Sequence, residues 1–200
     1  MTTSLPERMA IREVVENWAI WRDTGQFDKL ATTFHDEGVF RATWFNGPFA
    51  EFVAASRLAW QRGARAMHVL GGSSIEQSGH RAIAHTKMEI IVRGHIDDVA
   101  VDVNCWGRFF DFFELRAGRW AIVRRACIYD KSCIAPVMPG TPIVFDQTLL
   151  ESLPEAYRYL AYLQVKIGQT VDRAMLTTRD PGVDALYAEG VAWVAGGRSA

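Results

Sequence analysis

Cysteine is scarce: the chain has three in 200 residues, Cys105, Cys127 and Cys133. An odd, sparse set does not form a disulfide framework, and no Cys-x-x-Cys pair suggests zinc. Reduced thiols and a cytoplasmic setting are therefore expected. Long apolar runs are also absent, and none approaches the roughly 20 residues a membrane helix requires. No basic stretch followed by an apolar one opens the sequence, so no secretory leader is visible. Neither sign of charge dominates, with 22 basic against 23 acidic residues and a net charge of −1. A nucleic-acid binder would cluster basic residues to neutralise phosphates. Here they are dispersed, and the densest pair, Arg124-Arg125, sits inside an apolar run. No His, Cys and carboxylate set has metal-ligand spacing, since His80 and His85 fall on opposite faces of a strand. Gly71-Gly72-Ser73-Ser74 lacks the lysine and helix of a phosphate loop. Neither a metal nor a cofactor is expected.

Aromatic residues are plentiful: seven Trp and eleven Phe. They suit a large core, a subunit interface or the lining of an apolar cavity. The length is enough for one domain with a real core.

Helical signals come first. Ser4 and Glu7 form a capping box with Pro6 in the first turn. Ile11, Val14, Val15 and Trp18 then repeat with the stripe of an amphipathic helix, which ends at Thr24-Gly25. A short helix is predicted over 27–34, a turn over 35–38, a strand over 39–45 and a third helix over 49–63. Four strand-like runs follow, 68–76, 81–93, 99–116 and 119–129, separated by short breaks that favour antiparallel hairpins. Helices followed by a meander of long strands is an α+β pattern. A curved antiparallel sheet wrapped over the helices makes a cone-shaped α+β barrel with one open mouth. Pro136, Pro139 and Pro142 mark a loop, and two more helices are predicted over 154–169 and 183–195, the second stopped by Gly196-Gly197. This C-terminal part is too apolar to be disordered and is expected to pack on the cone or close its mouth.

Particular residues carry a family resemblance. They are Trp21-Arg22-Asp23, Gly25-Gln26-Phe27-Asp28-Lys29-Leu30, Phe34-His35-Asp36-Glu37-Gly38-Val39-Phe40, His68 ahead of Ile75-Glu76, and Gly118-Arg119-Trp120-Ala121-Ile122 with Tyr129-Asp130-Lys131. Together they resemble the nuclear transport factor 2-like (SnoaL-like) superfamily over residues 5 to about 135. The implied division is a SnoaL-like domain over 1–135 and a C-terminal extension over 136–200 that packs on it. That superfamily includes scytalone dehydratase, hexachlorocyclohexane dehydrochlorinase, bile-acid dehydratase, polyketide cyclases and a formaldehyde-releasing diarylpropane lyase. The small subunits of ring-hydroxylating dioxygenases share the fold without chemistry, so fold alone does not give the reaction.

The resemblance implies a site. His68 matches the general base of the eliminating members, and Asp23 the carboxylate that orients it. Imidazole titrates near neutrality, and a carboxylate on its other nitrogen fixes the tautomer. From the residues alone, Asp23 is equally a polar turn residue and His68 a strand-start histidine satisfied by backbone. Alternation on the last strand places Val123, Arg125, Cys127 and Tyr129 on one face and Ile122, Arg124, Ala126 and Ile128 on the other. Arg125 matches a pocket arginine of the dehydrochlorinase-like members and would bind an oxygen or a leaving group; an outward salt bridge is the other reading. Tyr129 is a candidate acid or hydrogen-bond donor at the mouth. Those members carry a lysine where this chain has Trp18, which disfavours halide elimination. His35, His80 and His95 are expected in solvent. His85 is surface or supporting, and Lys87 is inward or paired at an interface.

The resulting expectation is a cofactor-independent lyase acting on a small apolar cyclic or aromatic substrate, by dehydration or retro-aldol-like deformylation. The alternatives are a non-catalytic dioxygenase small subunit or ligand-binding protein, and an isomerase of the ketosteroid isomerase kind. A homo-oligomer, dimer or trimer, is expected because the convex sheet face would otherwise leave a broad apolar surface exposed. Neither nucleic acid nor membrane is an expected partner.

Overall fold

The computed structural model describes residues 4–196; residues 1–3 of the leader reading and Gly197 of the stop signal lie outside the described residues. Ser4 caps helix α1 (Leu5–Asp23): its hydroxyl accepts the Glu7 backbone N–H at 3.4 Å and donates to the Glu7 carboxylate at 2.9 Å. Ile11, Val15 and Trp18 face inward, as their spacing requires. Helix α2 (Phe27–Ala31) is shorter than predicted, and α3 (Phe49–Gln61) closes the helical layer.

Residues 35–38 do not form the predicted turn. Strand β1 (Phe34–Ala42) runs through them, with an irregularity in its pairing between Phe34 and Val39. His35 is 6% exposed rather than in solvent, and its Nε2 lies 3.0 Å from the Glu114 carbonyl, to which it donates. A bulged strand uses the same polar and glycine residues as a turn, which is why the two look alike in sequence. His80, His95 and Lys87 are exposed.

The remaining strands are β2 (Phe45–Pro48), β3 (Met67–Ser78), β4 (Arg81–Ile96), β5 (Val99–Arg116) and β6 (Arg119–Pro136). They build one curved, open sheet in the order β2-β1-β6-β5-β4-β3. The α+β class is as expected, but the sheet is mixed: β1 runs parallel to β6, and the other pairs on this path are antiparallel. β1 is reached from α2 rather than from a hairpin on β6, so no tight turn imposes an antiparallel pairing. The β5–β6 hairpin turns through Ala117 (φ 49°) and Gly118 (φ 76°), the two positive-φ positions of a type I′ turn.

Two bulges shape β5–β6, one at Trp106/Gly107 and one at Phe112/Phe113. Only glycine serves at position 107, because a Cβ there would stand 2.3 Å from the Ile128 carbonyl oxygen. The second bulge alters the predicted alternation. Ile122 turns to the inner core with Cys127 and Tyr129, whereas Val123 packs with Ile128 on the outer face. An extra residue in one strand shifts parity, and alternation read from sequence does not see it.

Strand β6 continues to Pro136, beyond the 119–129 predicted for it, before the C-terminal part leaves the sheet. Helix α4 (Gln147–Glu151), a 3-10 turn (Glu155–Tyr157), helix α5 (Arg158–Lys166), strand β7 (Leu176–Thr177) and helix α6 (Gly182–Val194) follow. The sequence predicts neither α4 nor β7. α1, α3 and α5 pack with the inner core, and α6 lies on the other face, where Val183, Leu186 and Trp193 cover Ile83, Phe110, Phe112 and Ile128. Part of the convex apolar face that motivated self-association is thus covered within the chain. Among the described residues no helix is long and apolar enough to cross a membrane.

His85 sits on this outer face, half-buried beneath α6, with Nε2 3.3 Å from the Tyr187 hydroxyl. Burial lowers its pKa, Arg108 adds to the effect and Asp130 opposes it. The folded chain therefore binds this proton less readily than the unfolded chain. Its contribution to stability is complete above the ordinary histidine value and is lost as pH falls through the depressed folded value. The thermal midpoint should drop as pH is lowered from 6.5, and His85→Gln should remove that part of the slope in a pH series of melting curves.

Candidate functional site

The last turn of α1 and the start of β3 meet at one carboxylate. Asp23 Oδ1 lies 2.6 Å from His68 Nδ1, and Asp23 Oδ2 accepts the His68 backbone N–H at 2.5 Å. An ionised carboxylate only accepts, so Nδ1 carries the hydrogen and Nε2 keeps its lone pair. The two side chains are 9% and 15% exposed. Trp18, one turn earlier on α1, meets the imidazole edge-on, with centroids 5.1 Å apart at 78°. Helix end, strand start and aromatic neighbour together hold the ring in one orientation.

The ring stands on the wall of a cavity of ≈ 70 Å³, whose sides include Trp18, Phe40, Phe52, Phe109 and Tyr129. Leu160 and Gln164 of α5 add another side, and the partly exposed Trp44 and Ala66 stand at its opening. α5 comes close because Gly94 has no side chain: a Cβ there would lie 2.8 Å from Leu163 Cδ1. A dry cavity of about 150 Å³ accommodates a benzene ring. This one, at ≈ 70 Å³, is narrower than that. A larger hollow of ≈ 520 Å³ lies elsewhere, between β6, the 3-10 turn and β7. It is an open polar groove lined by Lys131, Arg158 and Thr178 and contains no histidine.

The structure brings Tyr129 to the same cavity as His68. Complete burial raises the phenol's pKa well above the tyrosine range, with Thr43 opposing the shift. The group is a neutral hydrogen-bonding partner rather than a ready acid.

Arg125 also points inward but is not on the cavity wall. Its Nε and Nη2 donate to Asp111 Oδ1 and Oδ2 at 2.6 and 2.8 Å, with both side chains 0% exposed. Its guanidinium lies over the Trp18 ring at 4.4 Å and the Phe109 ring at 4.0 Å. Burial pushes the Asp111 carboxyl upward, and Arg125 opposes the shift.

Asp111 was missed from the sequence, though its signal was present. It is a lone carboxylate within Phe109-Phe110-Asp111-Phe112-Phe113, and it pairs directly across the ladder with Arg125. Gln164, inside the apolar helix α5, and Arg22, read only as part of a motif, also reach the cavity. Among the described residues no group of three or more His, Cys, Asp or Glu is arranged to hold a metal ion.

Removing one partner of a buried ion pair strands the other charge in a dry interior. Asp111→Asn should lower the unfolding free energy by about 3–5 kcal/mol. The double change Asp111→Asn/Arg125→Met should recover much of that loss, as measured by urea denaturation.

The chain is similar to curated proteins in sequence and to solved structures in fold. A PEP2-like protein of Fusarium vanettenii is 33% identical over 161 residues, which cover 79% of this chain and 69% of that one. Pea pathogenicity protein 2 of the same fungus is 32% identical over 161 residues, with the same shares. Among solved structures, a candidate scytalone dehydratase of Novosphingobium aromaticivorans superposes with a TM-score of 0.57 at 17% identity, covering 70% of this chain and 95% of that one. A Mycobacterium tuberculosis protein of unknown function gives 0.56 at 14% identity, covering 85% and 99%. A hexachlorocyclohexane dehydrochlorinase, LinA, gives 0.54 at 15% identity, covering 71% and 95%. At these identities the structural likeness concerns the fold. The family model described as the SnoaL-like domain matches residues 3–126, more than half of the sequence, and the chain belongs to that family.

Proposed function

We propose that the chain is a cofactor-independent lyase for a small apolar cyclic or aromatic substrate, with His68 as its general base. The observation that carries this reading is the two-point grip of Asp23 on His68 at the wall of an aromatic cavity. That grip presents Nε2, with its lone pair, to whatever the cavity holds. A general base must lie within hydrogen-bonding reach of the proton it takes, and the position of His68 on the cavity wall supports that reading.

In a dehydration, Nε2 takes a proton from carbon, and the C–H pair becomes the new C=C bond. The hydroxyl on the neighbouring carbon departs with its bonding pair. The imidazolium returns its proton to that oxygen, so water leaves and His68 is neutral again. Asp23 stabilises the imidazolium between these steps. Aromatic walls that exclude water strengthen that attraction. In a retro-aldol-like deformylation the same base takes a hydroxyl proton, the O–H pair becomes the second bond of the formaldehyde carbonyl, the C–C bond breaks, and the carbon that keeps its pair takes the proton back from the imidazolium. Tyr129, on the same cavity wall, donates to an oxygen on the substrate. Arg125 acts at one remove, by fixing Trp18 against the imidazole. The names of a candidate scytalone dehydratase and a dehydrochlorinase among the structural neighbours agree with elimination chemistry on this fold.

With a panel of hydroxylated ring compounds, His68→Ala should lower kcat by about 10²–10⁴-fold, the usual contribution of a general base. Asp23→Asn should lose activity through the wrong tautomer while its circular dichroism stays native. A product lighter than substrate by water or formaldehyde marks a lyase, whereas equal mass marks an isomerase. Undiminished turnover in His68→Ala refutes the assignment.

A further inference from the structure

The cavity contains a second polar element beside the dyad. Arg22 precedes Asp23 at the end of α1, lines the cavity and is 9% exposed. No hydrogen bond or ion pair to its guanidinium is found among the described residues. Its nearest ring is Phe52, 6.0 Å from guanidinium to centroid, at the outer limit of a cation–π contact. The neighbouring Asp23 carboxylate is occupied on both oxygens by His68. Arg125 provides a contrast within the same interior, because Asp111 meets its charge with two hydrogen bonds.

Two other polar atoms at this cavity lack partners among the described residues. Gln164 is 8% exposed, and its Oε1 has no hydrogen bond. The Trp18 Nε1 is buried and unpaired as well. Buried polar atoms are ordinarily satisfied; the Trp18 N–H lacks an acceptor, which a ligand oxygen would supply, whereas the Gln164 Oε1 is itself an acceptor and calls for a donor. A desolvated guanidinium discriminates among partners. A neutral carbonyl meets its hydrogen bonds but leaves the charge uncompensated, whereas an anionic oxygen answers both.

We infer that Arg22 is the anion-binding residue of this cavity, and that its ligand carries an anionic oxygen, as a carboxylate or phenolate does, on a small ring. The inference rests on the reading of the cavity as the ligand site and narrows it to a ligand class. Arg22 takes the part that the sequence assigned to Arg125. The anionic head enters the narrow cavity, and the ring occupies the mouth at Trp44. Burial also draws the Arg22 pKa down from the arginine range, opposed by Asp23, as expected of a cation without a partner oxygen. A base at His68 and a cation at Arg22 then act on one molecule. The first takes the proton, and the second holds negative charge that is present or develops.

Benzoate and its neutral isostere benzamide test this. Isothermal titration gives the affinities, and the Gln164 side-chain amide signals in the ¹H–¹⁵N spectrum locate binding. The full chain should bind benzoate at least tenfold more tightly than benzamide, with the Gln164 signals moving. Arg22→Met should remove the preference, leave benzamide affinity unchanged and keep or raise the melting temperature, because it deletes an unpaired charge. Arg22→Lys should retain part of the preference. A merely structural arginine would instead lower both affinities and the melting temperature. Equal affinity in the unaltered chain, a preference that survives in Arg22→Met, or no binding of either probe overturns the inference. None of these results depends on turnover, so they stay separable from full activity in His68→Ala, which would defeat the lyase reading while leaving the anion site intact.

Discussion

The arrangement turns on a carboxylate in an unfavourable place. Asp23 is the last residue of α1, where the negative end of the helix dipole repels an acid. It is held there by two donors from another element, the backbone N–H and the ring of His68. One bond fixes where β3 begins relative to α1, and the other fixes the imidazole. A helix rule broken at a terminus and compensated across forty-five positions of sequence marks the kind of local inconsistency that proteins retain at working sites. Replacing Asp23 by a better helix-ending residue would improve the local rule and release both the strand and the ring.

Beneath the dyad lies a support with its own electrostatics. Trp18 offers an edge to His68 and a face to Arg125, and Phe109 lies against the same guanidinium. The Arg125–Asp111 pair is wholly dry, and such a pair is weak evidence for stability, because desolvation offsets much of its attraction. Its geometric consequence is clearer. A two-pronged pair bridging β5 and β6 confines the guanidinium, and the stacked guanidinium confines the indole. The indole in turn blocks one side of the imidazole. Rigidity therefore reaches His68 from the sheet as well as from the helix.

Much of this was legible in the sequence, and the failures have specific causes. The capping box at Ser4, the stripe through Trp18 and the hairpin at Ala117-Gly118 are local signals, and each element stands where its signal places it. The His68–Asp23 contact came from the family resemblance; periodicity shows neither residue's partner. Errors gather at bulges. At 35–38 a bulged strand imitates a turn, and near Val123 a bulge reverses which residues face inward. Arg125, read either as a pocket arginine or as an outward salt bridge, is an inward ion pair instead, and its partner Asp111 sits in a phenylalanine run. Pairing across a ladder is a property of register, and register depends on bulges that the sequence does not announce.

The C-terminal part shows how a shared fold acquires a particular cavity. The inner sheet face and the first three helices form a cone open at one end, and α5 crosses that end, placing Leu160 and Gln164 on the cavity wall. Its approach depends on Gly94 of β4, where any side chain would collide with Leu163. The two arginines then divide the interior between structure and recognition. Arg125 is neutralised by Asp111 and contributes little field to the cavity. Arg22 has no hydrogen-bonded oxygen partner among the described residues, while the charge of the neighbouring Asp23 acts on it and the Asp23 oxygens hold His68. The candidate anion contact and the candidate base are thereby joined through one short helix turn, Arg22 followed by Asp23.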